Sequence, residues 1–359
     1  MGGWGEDRGG LLGRADGGRI GADYWDGRMG GGGACCALPL PGSLPYASDM
    51  SNVPLLPRDR IGAVLAGQRP DRLPVGELVF ELDLVRAALG LAPDAAVPLA
   101  AEQALLERWG HDLIVVSFSH GWGAPQQPDE EDALFRLGYW QQNSDRFVFA
   151  LIDGPFSAAA RAWGWEQALM RFTRGDPDLP AFMADAVLDL EEMLAEIAQA
   201  GADGVIIGDD IAYRRGPYIK PEHLQRNYFP YLSLLAFSAQ DRGLPAVFHS
   251  DGNLWPVWEQ IVQTPIAGVQ GLDPMSAMSL AVARERSHPR LCLWGNLDLG
   301  WLAQPQDEAA IRQHLHELLA PVAGTPVIFG TVGGLMPGLS LRQLDSLYAA
   351  AHAFPWPGD

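Results

Sequence analysis

The sequence predicts a single (β/α)8 barrel, an α/β fold, preceded by a glycine-rich, disordered extension. Three observations carry that expectation. Short apolar runs of strand length alternate with helix-like segments from about residue 58 to the end. Polar residues follow most of those runs, at the strand ends where a parallel barrel builds its chemistry. No G-x-G-x-x-G motif follows the first run, and GTVGG at 330–334 comes too late and without the right helix spacing, so a dinucleotide-binding sheet is a poor match.

The elements follow in order. Residues 1–50 hold 15 of the 42 glycines, four of them consecutive at 30–33, and show no apolar periodicity. Such a stretch has too little apolar surface to repay the entropy of ordering. The functional chain is expected to start near Met50, with the preceding stretch an over-extended reading frame and the barrel occupying 51–359. Residues 58–67 form a short amphipathic helix, and LPVGELVF (73–80) is strand one, carrying Glu77. Residues 82–89 and 101–109 are helical. Strand two (113–118) runs into Ser119, His120 and Gly121. A helix over 129–142 opens on acidic residues that suit its dipole. Strand three (147–152) closes on Asp153, Gly154 and Pro155, and RAWGW at 161–165 reads as a lid on which a flat ring could stack. The longest helix, 179–200, ends at Gly201. Strand four (205–207) is followed by Gly208, Asp209 and Asp210, and a helix spans 221–242. Strand five ends in FHSDGN, strand six (268–271) is followed by Asp273, and strand seven (291–294) by Asn296 and Asp298. A helix over 308–319, strand eight (326–329), the loop GTVGGLMPG and a helix over 340–353 complete the chain. No internal repeat or second domain is visible.

Composition limits the partners. The chain has 359 residues, 48% hydrophobic and 19% charged, which is ordinary globular composition. A net charge of −19, from 25 basic and 44 acidic residues, argues against nucleic acid or an anionic membrane as partner. The three cysteines (Cys35, Cys36 and Cys292) make no disulfide framework, which points to a reducing, cytoplasmic setting. No apolar run reaches the length of a membrane span. Lys220 is the one lysine, placed at a loop-to-helix junction before a proline, so Schiff-base chemistry is not expected.

The chemistry centres on strand five. His249 and Asp251 lie two residues apart, so on an extended backbone they point the same way. That spacing suits two ligands to one metal or a histidine–carboxylate acid/base pair. The alternative is that they tie down the loop and cap the helix beginning near Pro256. Asp209 and Asp210 read either as a carboxylate pair acting on substrate or as loop-fixing caps. Glu77 is a carboxylate inside an apolar strand, which needs a partner; Arg72 and Arg86 are the candidates if it is structural. Tyr213 and His120 read either as pocket groups or as packing and surface residues. Asn253 and Asn296 sit at strand ends as pocket hydrogen-bonding groups, and Asp153 and Asp273 lie at the pocket edge.

Four stretches, in this order, carry a resemblance: GQRPDRLPVGE (67–77), GADGVIIGDDIAYRRG (201–216), GLPAVFHSDGN (243–253) and LCLWGNLD (291–298). Together they resemble the uroporphyrinogen decarboxylase superfamily, from about residue 55 to the end. The resemblance implies one (β/α)8 barrel, often paired as a homodimer. It also implies one of two activities: decarboxylation of a porphyrinogen without a cofactor, or methyl transfer involving corrinoid or thiol acceptors. The decarboxylase patterns are altered. VGELVFELD stands where R-Q-A-G-R holds substrate carboxylates, FSHG replaces F-S-D-I, and GTVGG replaces N-L-G-H-G. A substrate with eight carboxylates wants a cationic pocket, whereas the expected rim here is acidic.

The methyltransferase branch is the closer resemblance. It implies zinc held by H-x-C and a later cysteine. Here His249 matches the histidine, Asp251 stands in the cysteine's place, and GTVGG supplies no second cysteine. A harder set of His249, Asp251 and Glu77 would hold zinc and polarise an oxygen rather than a thiol. The expected reaction is methyl transfer from a small methoxy-type substrate to a corrinoid carried on a partner protein. His249 and Asp251 are central, with Glu77, Asp209 and Asp210 in support. The alternatives are decarboxylation of a carboxylated substrate and an inactive barrel kept as a binding subunit.

Overall fold

The computed structural model of the chain describes residues 54–121 and 129–356. The expectations for residues 1–50 therefore lie outside the described residues. Among the described residues nine strands occur in chain order: β1 (Leu113–Ser117), β2 (Phe147–Asp153), β3 (Gly204–Gly208), β4 (Ala212–Tyr213), β5 (Gly216–Pro217), β6 (Ala246–Ser250), β7 (Gly268–Gly271), β8 (Cys292–Leu297) and β9 (Val327–Thr331). Seven make one all-parallel sheet in the order β1-β2-β3-β6-β7-β8-β9, while β4 and β5 form a separate antiparallel pair. Parallel strands connected by helices are covered on both faces, which is why they read as continuous apolar runs. All seven residues of β2, FVFALID, are buried.

The sheet is curled, and its concave side is filled. Leu113, Phe149, Ile206, Val247, Trp294 and Ile328, from six of its strands, meet in one buried cluster. Ile61, Val64 and Leu65 of the helix Pro57–Leu65 join that cluster. A second, larger core lies between the sheet and the surrounding helices, including Leu190, Leu194 and Ile197 of Leu179–Ala200. That helix ends at Gly201 in the left-handed conformation (φ 96°). No helix among the described residues is long and apolar enough to cross a membrane.

Strand one is the main departure from expectation. Residues 73–80 form no ladder; Val75 makes an isolated parallel bridge to Phe329 and Phe80 one to Leu335. The donors explain this. Pro74 has no amide to give, and the Val75 N–H goes to the Asp112 carboxylate (2.9 Å) rather than to a neighbouring strand. What remains is Gly76 N–H to Phe329 O (2.9 Å), Phe329 N–H to Pro74 O (2.9 Å) and Asp112 N–H to Val75 O (2.7 Å). The segment thus meets β9 through two backbone bonds at Phe329 and the residue before β1 through one. It is held there by ion pairs: Asp112, fully buried, takes Arg60 (2.6 Å) and Arg72 (2.7 Å), and Asp71 takes Arg60 (2.6 Å). Among the described residues the sheet therefore has seven strands in place of the expected eight.

Two further expectations are corrected. The helix expected over 221–242 breaks at Tyr228 into Pro221–Asn227 and Phe229–Asp241, because Pro230 lacks the amide that would bond the carbonyl four residues back. The RAWGW segment belongs to two helices, Pro155–Trp163 and Trp165–Arg174. Its tryptophans pack rather than offering a bare platform. Trp163 lies on Phe182 (centroids 4.1 Å apart) with the Arg171 guanidinium 4.3 Å from its ring, and Trp165 meets Phe156 and Tyr218 edge-on.

Candidate active site

Register places the site. Asp153 of β2, Gly208 of β3, His249 of β6 and Gln270 of β7 are successive partners across four adjacent parallel strands. Partnered residues in a parallel sheet present their side chains to the same face. This row lies one step beyond the layer of Leu151, Ile206 and Val247 that fills the concave side. The C-terminal ends of the strands therefore carry polar groups directly above an apolar floor.

At the centre, ligand atoms of Asp210, His249 and Asp251 all lie within 4.8 Å of one another. His249 Nε2 is 3.8 Å from Asp210 Oδ1. The same Asp210 oxygen accepts the backbone N–H of Asp251 (2.8 Å), so the β6 end holds the β3 end in place. On the other side of the ring, His249 Nδ1 contacts Gln270 Oε1. The surrounding protein, and then the Asp210 and Asp273 carboxylates, hold the Asp251 carboxyl above its ordinary range, against the lowering influence of His249.

One imidazole and two carboxylates are a donor set that fits a zinc ion or a harder divalent cation. Beside the cluster opens a cavity of ≈ 350 Å³, lined by Asp210, Tyr213, Arg214, Tyr218, Asp251 and Asp273 among others. Its aromatic wall is the stacked pair Tyr213 and Tyr218 (5.2 Å, 21°). The β4–β5 hairpin that carries Tyr213 approaches β6 closely at Gly252. A Cβ there would stand 2.6 Å from the Ala212 carbonyl carbon and the Tyr213 nitrogen, and φ is 91°.

The remaining expected residues divide sharply. Asp209 is fully buried and accepts Phe156 N–H (3.1 Å), Ser157 N–H (2.7 Å) and Tyr228 Oη–H (3.0 Å). It caps the helix Pro155–Trp163 and does not belong to the converging group. Burial pushes its carboxyl up to about 7, against those hydrogen bonds. Glu77 is also buried, but its partners are neither Arg72 nor Arg86. Thr331 donates to it from N–H (2.9 Å) and from Oγ1, and Tyr348 donates from Oη (2.7 Å). Burial raises Glu77 to about 7. Both its oxygens are thus engaged away from His249, and Asp210 takes the third place in the candidate metal set where Glu77 was expected.

Asp153 lies in the His249 row but forms its own cluster, with Ser119, Arg161 and the ring and backbone of His120. Asp273 caps the short turn Pro274–Ser276 through Met275 N–H (2.8 Å) while lining the cavity. Asn253 accepts Trp255 N–H (3.1 Å) and gives its own N–H to Tyr213 O (2.9 Å), tying the β6 loop to the hairpin. Asn296 is buried and donates to Leu272 O (2.8 Å), which joins the ends of β7 and β8.

Three residues escaped sequence reasoning. Gln270 was visible as the one polar side chain in the run GVQG, and its neighbour in the sheet makes it matter. Arg161 and Tyr218 sit on elements whose positions follow only from packing.

Residues 141–354 match the family model described as Uroporphyrinogen decarboxylase (URO-D). Among solved structures, a methyltransferase from Methanosarcina mazei aligns over 84% of this chain and 99% of its own, with a TM-score of 0.67 and 19% identity. A sugar phosphate isomerase/epimerase from Parabacteroides distasonis aligns over 78% and 96%, with a TM-score of 0.45 and 11% identity. At such identities the first likeness is one of fold, and the second is weaker still. No curated protein matches the chain significantly.

Proposed function

The chain belongs to the uroporphyrinogen decarboxylase family, and we propose that within it this protein is a methyltransferase that moves a methyl group from a small methoxy-type substrate to a corrinoid carried by a partner protein. The observation that carries this reading is the convergence of Asp210, His249 and Asp251 at the strand ends, beside an open cavity. The fold shared with the Methanosarcina methyltransferase supports it. The cavity wall supports it too: Asp210, Asp251 and Asp273 against Arg214 make a poor receptor for a substrate bearing many carboxylates.

In the reaction the methyl–oxygen bond breaks and its electron pair stays on oxygen. A corrinoid acceptor, when supplied by the partner at the cobalt(I) level, would provide the electron pair that takes the methyl group, and the oxygen takes up a proton. A divalent metal, when bound by Asp210, His249 and Asp251, supplies Lewis acidity at that oxygen. The chain's own residues do the rest. Without a metal, the Asp251 carboxyl, held above its ordinary range by the surrounding protein, is the group placed to deliver the proton, and His249 Nε2 is an acceptor beside it. Tyr213 and Tyr218 form a flat wall against which an apolar substrate packs, and the short bond from Asp251 N–H keeps the Asp210 carboxylate aimed inward.

Elemental analysis tests the site. Zinc near one per chain is expected in the wild type and should be lost in Asp210→Ala, His249→Ala and Asp251→Ala. No metal in any preparation, even after supplementation, removes the Lewis-acid version and leaves acid/base chemistry. The reaction is tested with cob(I)alamin and a panel of methoxy compounds, following formation of methylcobalamin by its visible absorbance. Failure across the panel, with the chain folded and metal-loaded, sinks methyl transfer.

A further inference from the structure

We propose that Gln270 is a positioning residue that fixes the tautomer of His249, keeping the proton on Nδ1 and presenting the bare Nε2 to Asp210 and Asp251. The inference rests on reading the β6 end as the reactive centre, but not on which reaction takes place there.

The argument is one of donors and acceptors. Gln270 is fully buried on β7, the register partner of His249 on the adjacent strand. Its amide has one donor end and one acceptor end. The donor end is committed: Nε2 gives to Val332 O (2.8 Å) and faces Thr331 O (3.4 Å). Two carbonyls at that end exclude the flipped amide, which would set oxygen against oxygen. Oε1 must therefore be the atom that meets His249 Nδ1. An acceptor there requires Nδ1 to be the protonated nitrogen of the neutral ring.

The anchor is itself anchored. Thr331, whose carbonyl faces Gln270, is held through its N–H and Oγ1 by Glu77, which also takes Tyr348 Oη–H. A hydrogen-bonded chain thus runs from Tyr348 through Glu77, Thr331 and Gln270 to the imidazole. It gives the buried Glu77 a role that its distance from the ligand atoms would not suggest.

The consequence is chemical. With Nδ1 carrying the proton, Nε2 and the two carboxylates are all electron-pair donors aimed at one small region, an arrangement that calls for a cation. Were the proton on Nε2 instead, that nitrogen would be lost as a ligand, and the ring would serve only as a hydrogen-bond donor to Asp210.

The test is the ring-nitrogen NMR pattern of His249, identified by its loss in His249→Ala, in chelator-treated protein at a pH where the ring is neutral. Wild type is expected to show Nδ1 protonated. A protonated Nε2 there overturns the proposal without any substitution at Gln270. Gln270→Met, which keeps the volume and removes the strong acceptor, is expected to mix the two tautomers and weaken zinc binding by about 10–100-fold. Gln270→Glu, at a pH where its buried carboxyl is protonated so that one oxygen donates to Val332 O and the other accepts from the ring, is expected to bring both readouts back toward wild type. An unchanged tautomer and unchanged zinc affinity in folded Gln270→Met overturn the proposal while leaving the proposed function standing. A wild-type chain with Nδ1 protonated but no methyl transfer does the reverse.

Discussion

Asp209 and Asp210 are adjacent, chemically identical and both at the end of β3, yet they do opposite work. Asp209 reaches the helical layer, where two backbone amides and the Tyr228 hydroxyl surround it and it is fully buried. Asp210 reaches the strand-end cavity, where it meets His249 Nε2 and the Asp251 amide and remains partly open. One carboxylate shapes the protein and the other is free to act on something else. The reason is the alternation of an extended backbone, which sends successive side chains to opposite faces. Gly154 completes the division. A Cβ at that position would stand 2.1 Å from Asp209 Oδ2, so only glycine lets the cap form.

The largest expected effect breaks the structural member. Asp209→Ala leaves two buried donors and one half-buried donor unpaired and should cost roughly 3–5 kcal/mol, read from the denaturation midpoint. A cost below about 1 kcal/mol would show that the cap is dispensable.

The next prediction uses pH. Glu77 and Asp209 are each raised to about 7, from ordinary values of 4.5 and 3.8. The folded state then binds more protons than the unfolded chain between about pH 4 and 7, so stability should fall as pH rises through that window. The stabilisation is complete below the unfolded values and lost above about 7, on the order of 3 kcal/mol per group. Glu77→Gln and Asp209→Asn should each flatten the slope of stability against pH. A slope unchanged in both would count against burial as the dominant influence.

Gly252→Ala probes how the open side is assembled without removing a polar group. Contacts of 2.6 Å to the hairpin backbone and a positive φ make any Cβ strained there. A cost of about 1–2 kcal/mol is expected, together with weakened zinc binding as the hairpin shifts. Equal stability and equal affinity would mean that the hairpin does not help to set the site.

The smallest stability effect belongs to Asp210→Asn, within about 1 kcal/mol of wild type, combined with loss of most zinc affinity. If that substitution destabilised the chain as much as Asp209→Ala, the distinction between the two aspartates would fail.

Much of the scaffold could be read in advance because it depends on local pattern. The run VFAL within β2 and the helix Leu179–Ala200, with its glycine stop, are set by spacing and by residue chemistry within a few turns. The failure of strand one is only partly local: Pro74 was in view and its missing amide removes one donor, but the Val75 N–H is taken by Asp112, which the sequence does not place beside it. The site was less legible. The sequence singled out His249 and Asp251, which the structure brings together with Asp210, but it could not separate Asp209 from Asp210, since strand alternation tells only that they differ and not which of them faces the cavity. Glu77 looked like a ligand because an acid in an apolar strand demands a partner. Its partners turned out to be Thr331 and Tyr348, 254 and 271 residues further along.

By itself the sequence determined an alternating α/β chain of one family, with its polar residues gathered at the C-terminal ends of parallel strands. Hydrophobic period and the family's motifs are written along the chain and need no partner to be recognised. Only the tertiary structure decided that the sheet has seven strands, that Asp210 rather than Glu77 converges on His249, and that Gln270 stands against the imidazole. Each of those facts depends on register between segments far apart in sequence, and register is set when curled strands pack their inward side chains against one another.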